Sequence, residues 1–369
     1  MKRNLQYNLF IKGGQFYEPK KKNGISHFWE HVVFSYSFFK SGFEKFLEEN
    51  SIEINVETLT HCIWCKLTSL DNGLFNKTRK LIKKEITQPI IDFNGFNQEK
   101  RIIKEEISFR NQLPNIIGLN EFYKIVFKNS PLENPVVGTI SSVNKIELDD
   151  LQRFHKNFCK FPETTEIIYD STKEKINLLS NNIKEVPPIQ IKQKTGTFSK
   201  NKNFSSKAIH AGWIFTNSTV KERIILDILR RILGGMSESF IYKHLLQKLH
   251  IIYSGNAFLD HYNGLDILFL QIFSTAHQRC LEEIKKLKKL LTESQVEQNL
   301  FKNAKQVELN YYKYPDSSIA EVIGIEFMCT GKFVSPEEKI KIIESITYKE
   351  FVSVRKKLLA EQPFILVIK

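Results

Sequence analysis

Two patterns of hydrophobic positions alternate along the first half of the chain. Short runs rich in β-branched and aromatic residues predict strands, and apolar positions at helical spacing predict helices between them. Pro89 and Pro114 follow two of these helices and are expected to end them. The predicted strands cover residues 5–18 (running into a turn), 52–69 and 165–170, and the predicted helices cover residues 25–39, 73–87, 97–112, 116–128 and 147–158.

The same order of elements returns in the second half of the chain. A strand is predicted at 208–216, followed by helices at 220–233 and 237–249. A hairpin is predicted from strands 251–259 and 265–273, because Asn263-Gly264 between them is a strong turn signal. The C-terminal PFILVIK predicts a last strand, as TEIIYD does at the end of the first half.

This repetition predicts an α+β protein with two homologous domains, each a mainly antiparallel sheet with helices packed on it. The stretch 186–206 is polar, contains proline, glycine, serine and lysine, and is typical of a linker. We therefore expect domains at 1–185 and 207–369 with a linker at 186–206. A length of 369 residues agrees, since single cores of that size usually divide.

Composition and charge exclude several classes of protein. A hydrophobic content of 41% excludes disorder as the dominant state. The net charge of +13 suggests a nucleic-acid partner, but the lysines are interspersed with acidic residues and no recognised nucleic-acid-binding motif is present. A solvated mixed-charge surface is the simpler explanation, and a long-range attraction for acidic peptides is the alternative.

The sequence also predicts where the protein works. No apolar stretch approaches the roughly 20 residues of a membrane span, and the N-terminus has no secretory signal pattern. Five scattered cysteines are typical of reduced thiols, so we expect a cytoplasmic protein. Cys62 and Cys65 form a CIWC sequence on a predicted strand, where packing is a better explanation than a redox or metal pair.

The residues that point to chemistry are His27-Phe28-Trp29-Glu30-His31, an HxxEH pentapeptide on a predicted helix. Spacing of i, i+4 places the two imidazoles on one helix face, as a single zinc ion requires. Glu30 lies beside the same position and is suited to take a proton from water at the metal. This order is the inverted form of the zincin motif. Two helical histidines satisfied by their neighbours are the alternative.

A catalytic zinc site uses three protein ligands and a water, so a third ligand is expected elsewhere. The helix predicted at 97–112 carries EKRIIKEEI. Glu99 and Glu106 are seven residues apart and share one helix face, whereas Glu105 points about 100° away.

These motifs resemble those of the pitrilysin/insulinase family of zinc peptidases, which includes the mitochondrial processing peptidase. The resemblance covers nearly the whole chain, and its segments are NGISHFWEHVVF, EKRIIKEE, NSPLENPVVGTISSVNKIELDDLQRFHKNF, ILGGMSES and LHIIYS. In that family a glutamate some 75 residues after HxxEH is the third ligand, and Glu106 lies 75 residues after His31. The resemblance therefore implies one Zn²⁺ per chain, bound by His27, His31 and Glu106. It also implies that Glu99 is a carboxylate near the site but not a metal ligand. Lys100 departs from the family's usual arginine.

The resemblance also implies how a peptide is held. The strand IEINVETLT is similar to the family's substrate-binding edge strand, so Asn55, Val56 and Glu57 are expected to bind the peptide backbone. A local capping role for Asn55 is the alternative. Tyr253 matches a family tyrosine that steadies the substrate and the reaction's oxyanion, but Leu246 stands where the family has the paired arginine.

Short members of this family work as dimers. With the metal ligands present and the arginine missing, the resemblance implies a zinc-bearing chain that pairs with a homologous sister subunit, although a homodimer is the alternative. The predicted function is a zinc metalloendopeptidase for short or unfolded peptides, with leader or precursor peptides as one class of substrate. The alternative is a non-catalytic structural subunit of a peptidase-like complex.

Overall fold

The computed structural model describes residues 5–158, 163–181, 183, 186–189, 191, 195–201, 207–293, 298–360 and 362–368. The chain forms two compact units, and each unit takes one segment from the other half of the sequence. The first unit comprises Met1–Gln112, Phe127–Val186 and Pro315–Phe333, and the second comprises Leu113–Val126, Pro187–Tyr314 and Val334–Lys369.

Each unit contains a five-stranded sheet. In the first sheet the order is β2-β3-β1-β4-β5 and all neighbours are antiparallel. In the second the order is β6-β10-β7-β9-β8, and only the β6–β10 pair is parallel. The strands are β1 Leu5–Lys12, β2 Ile54–Thr58, β3 Cys62–Leu70, β4 Thr164–Asp170, β5 Lys175–Asn181, β6 Gly196–Lys200, β7 Lys207–Thr216, β8 Ser254–Tyr262, β9 Leu265–Ser274 and β10 Phe364–Ile368. The predicted fold class, two domains with mainly antiparallel sheets and packed helices, is confirmed.

Helices pack on both sheets. In chain order they are α1 Ile25–His31, α2 Phe38–Ser41, α3 Phe43–Glu49, α4 Asn72–Thr87, α5 Phe93–Arg110, α6 Pro114–Val126, α7 Ile140–Asn144, α8 Leu148–Phe158, α9 Val220–Arg230, α10 His277–Glu293, α11 Gln298–Lys313, α12 Ser317–Thr330, α13 Pro336–Ser345 and α14 Tyr348–Ala360. A π-helical turn, Val32–Ser37, joins α1 to α2, so the predicted helix 25–39 is continuous through a local widening. Two further π-helical segments, Arg231–Gly235 and Phe240–Lys248, follow α9.

Two predicted elements differ in the structure. The strand predicted at 52–69 is a hairpin of β2 and β3, whereas β1 ends at Lys12 before the predicted turn. The hairpin turn packs against Gly14, where a Cβ would lie 2.3 Å from the Leu59 carbonyl oxygen, so only glycine fits. The stretch predicted as a linker, 186–206, contains strand β6, which pairs with β10 at the chain's end.

The centre of the first sheet is buried on both faces, because β1 alternates its side chains between two cores. Leu9 and Ile11 point into the core that also contains Phe28 and Trp29 of α1. Phe10 points into the opposite core with α12 residues. Gly324 of α12 lies against the Phe10 ring, since a Cβ there would be 2.0 Å from the ring atom Cζ.

The positions of the described cysteines agree with a role in core packing. Cys62 lies in the core beneath α12, whereas Cys65, three residues further along β3, lies in the opposite core. The sheet therefore separates the two thiols of the CIWC sequence. The four described cysteines, Cys62, Cys65, Cys280 and Cys329, are free and buried, and Cys159 lies outside the described residues. His210 is fully buried. Among the described residues, no helix has the length and apolarity needed to cross a bilayer.

A buried ion network stabilises the first unit and predicts a pH-dependent stability. Glu166 is 1% exposed and accepts hydrogen bonds from Tyr7 Oη at 2.7 Å, from Arg79 and from Ser180. Burial raises the pKa of Glu166, but the bonds from Arg79, Tyr7, Ser180 and Lys83 outweigh it and lower the pKa to about 2. Since this pKa is depressed, the stabilisation is present above the unfolded value near 4.3 and is lost as pH falls towards 2.

We expect Glu166→Gln to lower the free energy of unfolding by about 3 kcal/mol at pH 7, with the difference shrinking below pH 4. Urea unfolding of both proteins between pH 7 and pH 3 measures it. The exposed Glu49→Gln, whose partner Lys45 is 77% exposed, is the control and should change stability little. An equal loss at pH 7 and pH 3 would show that the charge of Glu166 is not responsible.

Candidate metal centre

The helix that carries the HxxEH pentapeptide begins at a partly buried carboxylate. Glu18 accepts hydrogen bonds from the backbone N–H groups of Gly24, at 3.0 Å, and Ser26, at 3.1 Å. These are N–H groups of the first turn, which have no partner within the helix. Burial raises the pKa of Glu18 to about 8. Glu18 was missed by the sequence analysis, because it lies in a polar loop with no motif.

His27 and His31 occupy one face of α1, as their spacing predicted. Their ring centroids are 4.6 Å apart, and His27 is 7% exposed. Phe28 and Trp29 between them are fully buried in the core, so they anchor the helix and fix which face the imidazoles present.

Glu106 on α5 reaches both imidazoles. One carboxylate oxygen, Oε2, lies 3.1 Å from His27 Nε2 and 3.4 Å from His31 Nε2. Zinc ligands at about 2.0–2.2 Å in tetrahedral geometry are about 3.4 Å from one another. The carboxylate oxygen therefore lies at distances from both nitrogens close to those between ligands of a shared zinc ion, and two imidazoles with a carboxylate are a suitable donor set.

Glu99, two helical turns before Glu106, supports the second imidazole. Its Oε2 lies 3.2 Å from His31 Nδ1, and the residue is 1% exposed. A carboxylate at Nδ1 favours the tautomer with the proton there and leaves the Nε2 lone pair for a metal. Glu99 and Glu106 thus contact the same imidazole through different nitrogens.

Glu30 lies beside the centre but is held differently. The metal-binding atoms of His27, Glu30 and His31 lie within 4.8 Å of one another. However, Glu30 Oε2 is 3.9 Å from Nδ1 of His27, and it accepts a hydrogen bond from Thr58 Oγ1 at 2.5 Å. Thr58 at the end of β2, also missed from sequence, therefore orients Glu30. Glu30 therefore lies in the same cluster as the two imidazoles, and its carboxylate is oriented by Thr58.

The electrostatics of the protein groups suit a cation. Burial lowers the pKa of His27 to about 3, so its imidazole is neutral. Burial also lowers the pKa of His31, but hydrogen bonds to Glu106 and Glu99 outweigh it and raise the pKa to about 9. Hydrogen bonding to His31 lowers the pKa of Glu106, and burial raises that of Glu30. A metal that binds here displaces the proton on His31, so binding is expected to release a proton.

The residues expected to bind a peptide lie on β2. This strand is at the end of the sheet order, and Asn55 and Glu57 are exposed while Val56 packs partly on the core. Because β2 ends at Thr58, which contacts Glu30, its outer edge leads towards the candidate metal centre.

Tyr253 and Leu246 belong to the second unit. Both line a cavity of about 450 Å³, together with Ile241 and Ile252. Tyr253 is 84% exposed, so its phenol is available to a ligand. Leu246 and Tyr253, the two positions that the family resemblance pairs, therefore line the same cavity, and the side chain at position 246 is apolar.

Comparison with known proteins identifies relatives along most of the chain. Residues 2–140 match the family described as insulinase (peptidase family M16), and residues 139–307 match that described as peptidase M16 inactive domain. An uncharacterised zinc protease of Rickettsia bellii is 24% identical over 364 residues, covering 94% of this chain and 87% of that protein.

Two partial matches differ in their described activity. The beta subunit of the mitochondrial-processing peptidase of Saccharomyces cerevisiae is 23% identical over 148 residues, which are 40% of this chain and 32% of that protein. A Helicobacter pylori protein named non-peptidase homolog YmxG is 27% identical over 158 residues, 41% of this chain and 35% of that protein. The crystal structure of a protease from Helicobacter pylori is similar in fold, with a TM-score of 0.85 at 15% identity over 99% of this chain and 94% of that one.

Proposed function

Because the chain belongs to the insulinase family of peptidases, family M16, we propose that it is a zinc endopeptidase that cleaves short or unfolded peptides. The observation that carries this proposal is the position of Glu106, whose Oε2 lies 3.1 Å and 3.4 Å from the two histidine Nε2 atoms. A protein with a purely structural role has no need to place a carboxylate of one helix against two imidazoles of a different, distant helix.

The ligands are His27, His31 and Glu106, and they hold one Zn²⁺ per chain. A zinc ion at this position supplies Lewis acidity towards the scissile carbonyl and lowers the pKa of an attacking water. Glu99 keeps the His31 ring in the tautomer and orientation that binding needs.

Glu30 is the general base and then the general acid. Its largely buried carboxylate, with a raised pKa, takes the proton of the attacking water and delivers it to the leaving amine. The hydrogen bond from Thr58 holds one carboxylate oxygen, so the side chain is oriented before the substrate arrives.

The peptide binds in extended form along β2. An edge strand has unpaired backbone groups that an unfolded segment can pair with, which a folded protein cannot easily do. Asn55, Val56 and Glu57 contact the peptide backbone and the adjacent side chains. Leader and precursor peptides are substrates of this kind.

The active assembly contains two chains. One relative is named as a subunit of a processing peptidase, which supports an assembly with a sister subunit. Leu246 beside Tyr253 lacks the cationic side chain that the resemblance leads us to expect. A homologous sister chain would then supply the arginine and tyrosine that steady the substrate, and a homodimer is the alternative. A cytoplasmic location stays a prediction.

A second candidate function is a non-catalytic subunit of a peptidase-like complex. One relative is named a non-peptidase homolog, and the family that matches residues 139–307 is described as inactive. This function requires no zinc and no base at Glu30, so metal content separates the two candidates.

Metal analysis and peptide cleavage by the purified chain, alone and with a homologous sister chain, test the proposed function. We expect one zinc per chain and cleavage of unstructured peptides, with a higher rate when the sister chain is present. Full activity of the chain alone, as a homodimer, would exclude the need for a sister subunit. A metal-free protein without activity in either assembly would favour the non-catalytic function.

Glu99→Gln is expected to lower zinc affinity by about 10-fold or more, because partners of metal-binding histidines typically contribute about 10–100-fold. Competition with a chromophoric chelator measures this affinity. Glu105→Gln on the same helix removes an exposed carboxylate and serves as the control. Equal affinity in the wild type and Glu99→Gln would mean that Glu99 does not orient His31.

A further inference from the structure

Helix α5 ends with a cation beside the third candidate ligand. Arg110 is the last residue of the helix and follows Glu106 by four residues, so the two side chains are neighbours on one helix face. Its Nη1 donates a hydrogen bond of 3.4 Å to Oε1 of Glu106. Among the described residues, Arg110 is the one lysine or arginine that pairs with Glu106. The two carboxylate oxygens therefore have different partners, since Oε2 faces the two imidazoles.

This contact differs from an ordinary ion pair on a helix surface. Exposed pairs four residues apart contribute little to stability, because water and salt screen both charges. The Arg110 side chain is 39% exposed, against 77% for Lys45 in its pair with Glu49. Its Nε is buried and has no hydrogen-bond partner among the described residues, which costs free energy. A gain in stability therefore does not explain why the guanidinium is partly buried at the candidate metal centre.

We propose that Arg110 is a positioning residue of the metal centre, which holds Oε1 of Glu106 and so presents Oε2 to the ion that the two imidazoles bind. This inference rests on the proposed function. A glutamate side chain has considerable rotational freedom, so an unheld carboxylate can exchange its two oxygens or turn into solvent. Hydrogen-bond partners of metal-binding groups fix their orientation before the metal arrives. The guanidinium does this for Glu106, as Glu99 does for His31.

The charge of Arg110 also has an opposite effect on metal binding. A cation near a metal site repels the metal ion, so removal of the charge alone would strengthen binding. This repulsion is screened because the side chain is 39% exposed, whereas loss of an orienting partner typically lowers metal affinity by about 10–100-fold. Orientation is therefore expected to outweigh repulsion, and the two effects predict changes in zinc affinity of opposite sign.

The test is the zinc affinity of the metal-free chain, measured by competition with a chromophoric chelator, for the wild type, Arg110→Met and Arg110→Lys. Methionine keeps an unbranched apolar stem but has no donor and no charge, whereas lysine keeps the charge and a single ammonium group as donor. Arg101→Met is the control, because Arg101 is exposed on the same helix and its side chain points about 140° away from that of Glu106. Urea unfolding of each metal-free variant measures its stability.

We expect Arg110→Met to lower zinc affinity by about 10-fold or more, Arg110→Lys to lower it less, and Arg101→Met to leave it unchanged. The free energy of unfolding should change little in all three variants. Arg110→Met should also have little effect on the weaker zinc binding of Glu106→Ala, since a residue that acts through Glu106 has no carboxylate to hold there. An unchanged or higher affinity of Arg110→Met overturns the inference, and so does an equal loss in the Glu106→Ala background.

Chelator competition also separates this inference from the proposed function, because it needs no substrate. A wild type that binds zinc and cleaves peptides, but no more tightly binds zinc than Arg110→Met, overturns the inference and leaves the peptidase proposal in place. A wild type that binds zinc and cleaves no peptide, together with weaker zinc binding by Arg110→Met, supports the inference while the peptidase proposal fails. A wild type that binds no zinc contradicts both.

Discussion

Glu30→Gln is expected to lower kcat by at least about 100-fold while the protein keeps its zinc. The glutamine has nearly the same shape and can still accept the hydrogen bond from Thr58, but it cannot take a proton. Positioned acid–base groups contribute about 10²–10⁴-fold to such reactions, so the loss falls in that range. The measurement is the cleavage rate of an unstructured peptide at saturating concentration, together with zinc content.

The control for Glu30→Gln is a second glutamate close to the candidate metal centre. Glu105→Gln removes the same charge from an exposed position one residue before Glu106, and we expect near wild-type kcat. A fully active Glu30→Gln protein would show that another group moves the proton. Loss of zinc from Glu30→Gln would instead assign Glu30 as a metal ligand.

Glu106→Ala is expected to weaken zinc binding by more than about 100-fold and to abolish cleavage. Removing a partner that only orients a ligand already lowers affinity by about 10–100-fold, and a direct ligand contributes more. The remaining pair, His27 and His31, would hold the ion through two nitrogens only. Chelator competition and metal analysis after dialysis measure the loss.

Glu105→Ala is the control, because its side chain points about 100° away from that of Glu106. It should keep zinc and activity. A Glu106→Ala protein that retains stoichiometric zinc, while Glu30→Ala does not, would reverse the roles assigned to the two glutamates.

The pairs of residues at the candidate metal centre could be predicted from sequence because each pair is set by local spacing. His27 and His31 are one helical turn apart, and Glu99 and Glu106 are two turns apart, so each pair is expected on one face. Helix 25–39 was predicted from its helical spacing and helix 97–112 as a long charged segment that ends before Pro114, and Phe28 and Trp29 pack in the core. The choice of Glu106 over Glu99 as ligand came from the family resemblance, and the distances to the histidine Nε2 atoms support it.

Features that depend on residues far apart in the chain could not be predicted from the sequence. Helix α6 groups with the second unit and α12 with the first, although each comes from the other half of the chain. Apolar periodicity predicts a buried face but not the sheet that the face contacts. The fit of Gly324 against Phe10 illustrates this, since no local pattern links two residues more than three hundred positions apart.

Smaller errors have similar causes. The turn between β2 and β3 has no glycine or asparagine-glycine pair, so the predicted strand 52–69 continued through it. Strand β6 lies in a polar, lysine-rich stretch and is defined by its pairing with β10. Thr58 and Glu18 carry no motif, and their roles follow only from the groups they contact.

X-ray absorption at the zinc edge tests the metal centre most directly. For the wild type we expect a first shell with two imidazole nitrogens and a carboxylate oxygen at about 2.0–2.2 Å, completed by a water oxygen. His31→Ala should remove one imidazole contribution, or the metal altogether. A shell with sulfur ligands, a shell unchanged in Glu106→Ala, or a wild-type protein that binds no zinc would contradict a centre built from His27, His31 and Glu106.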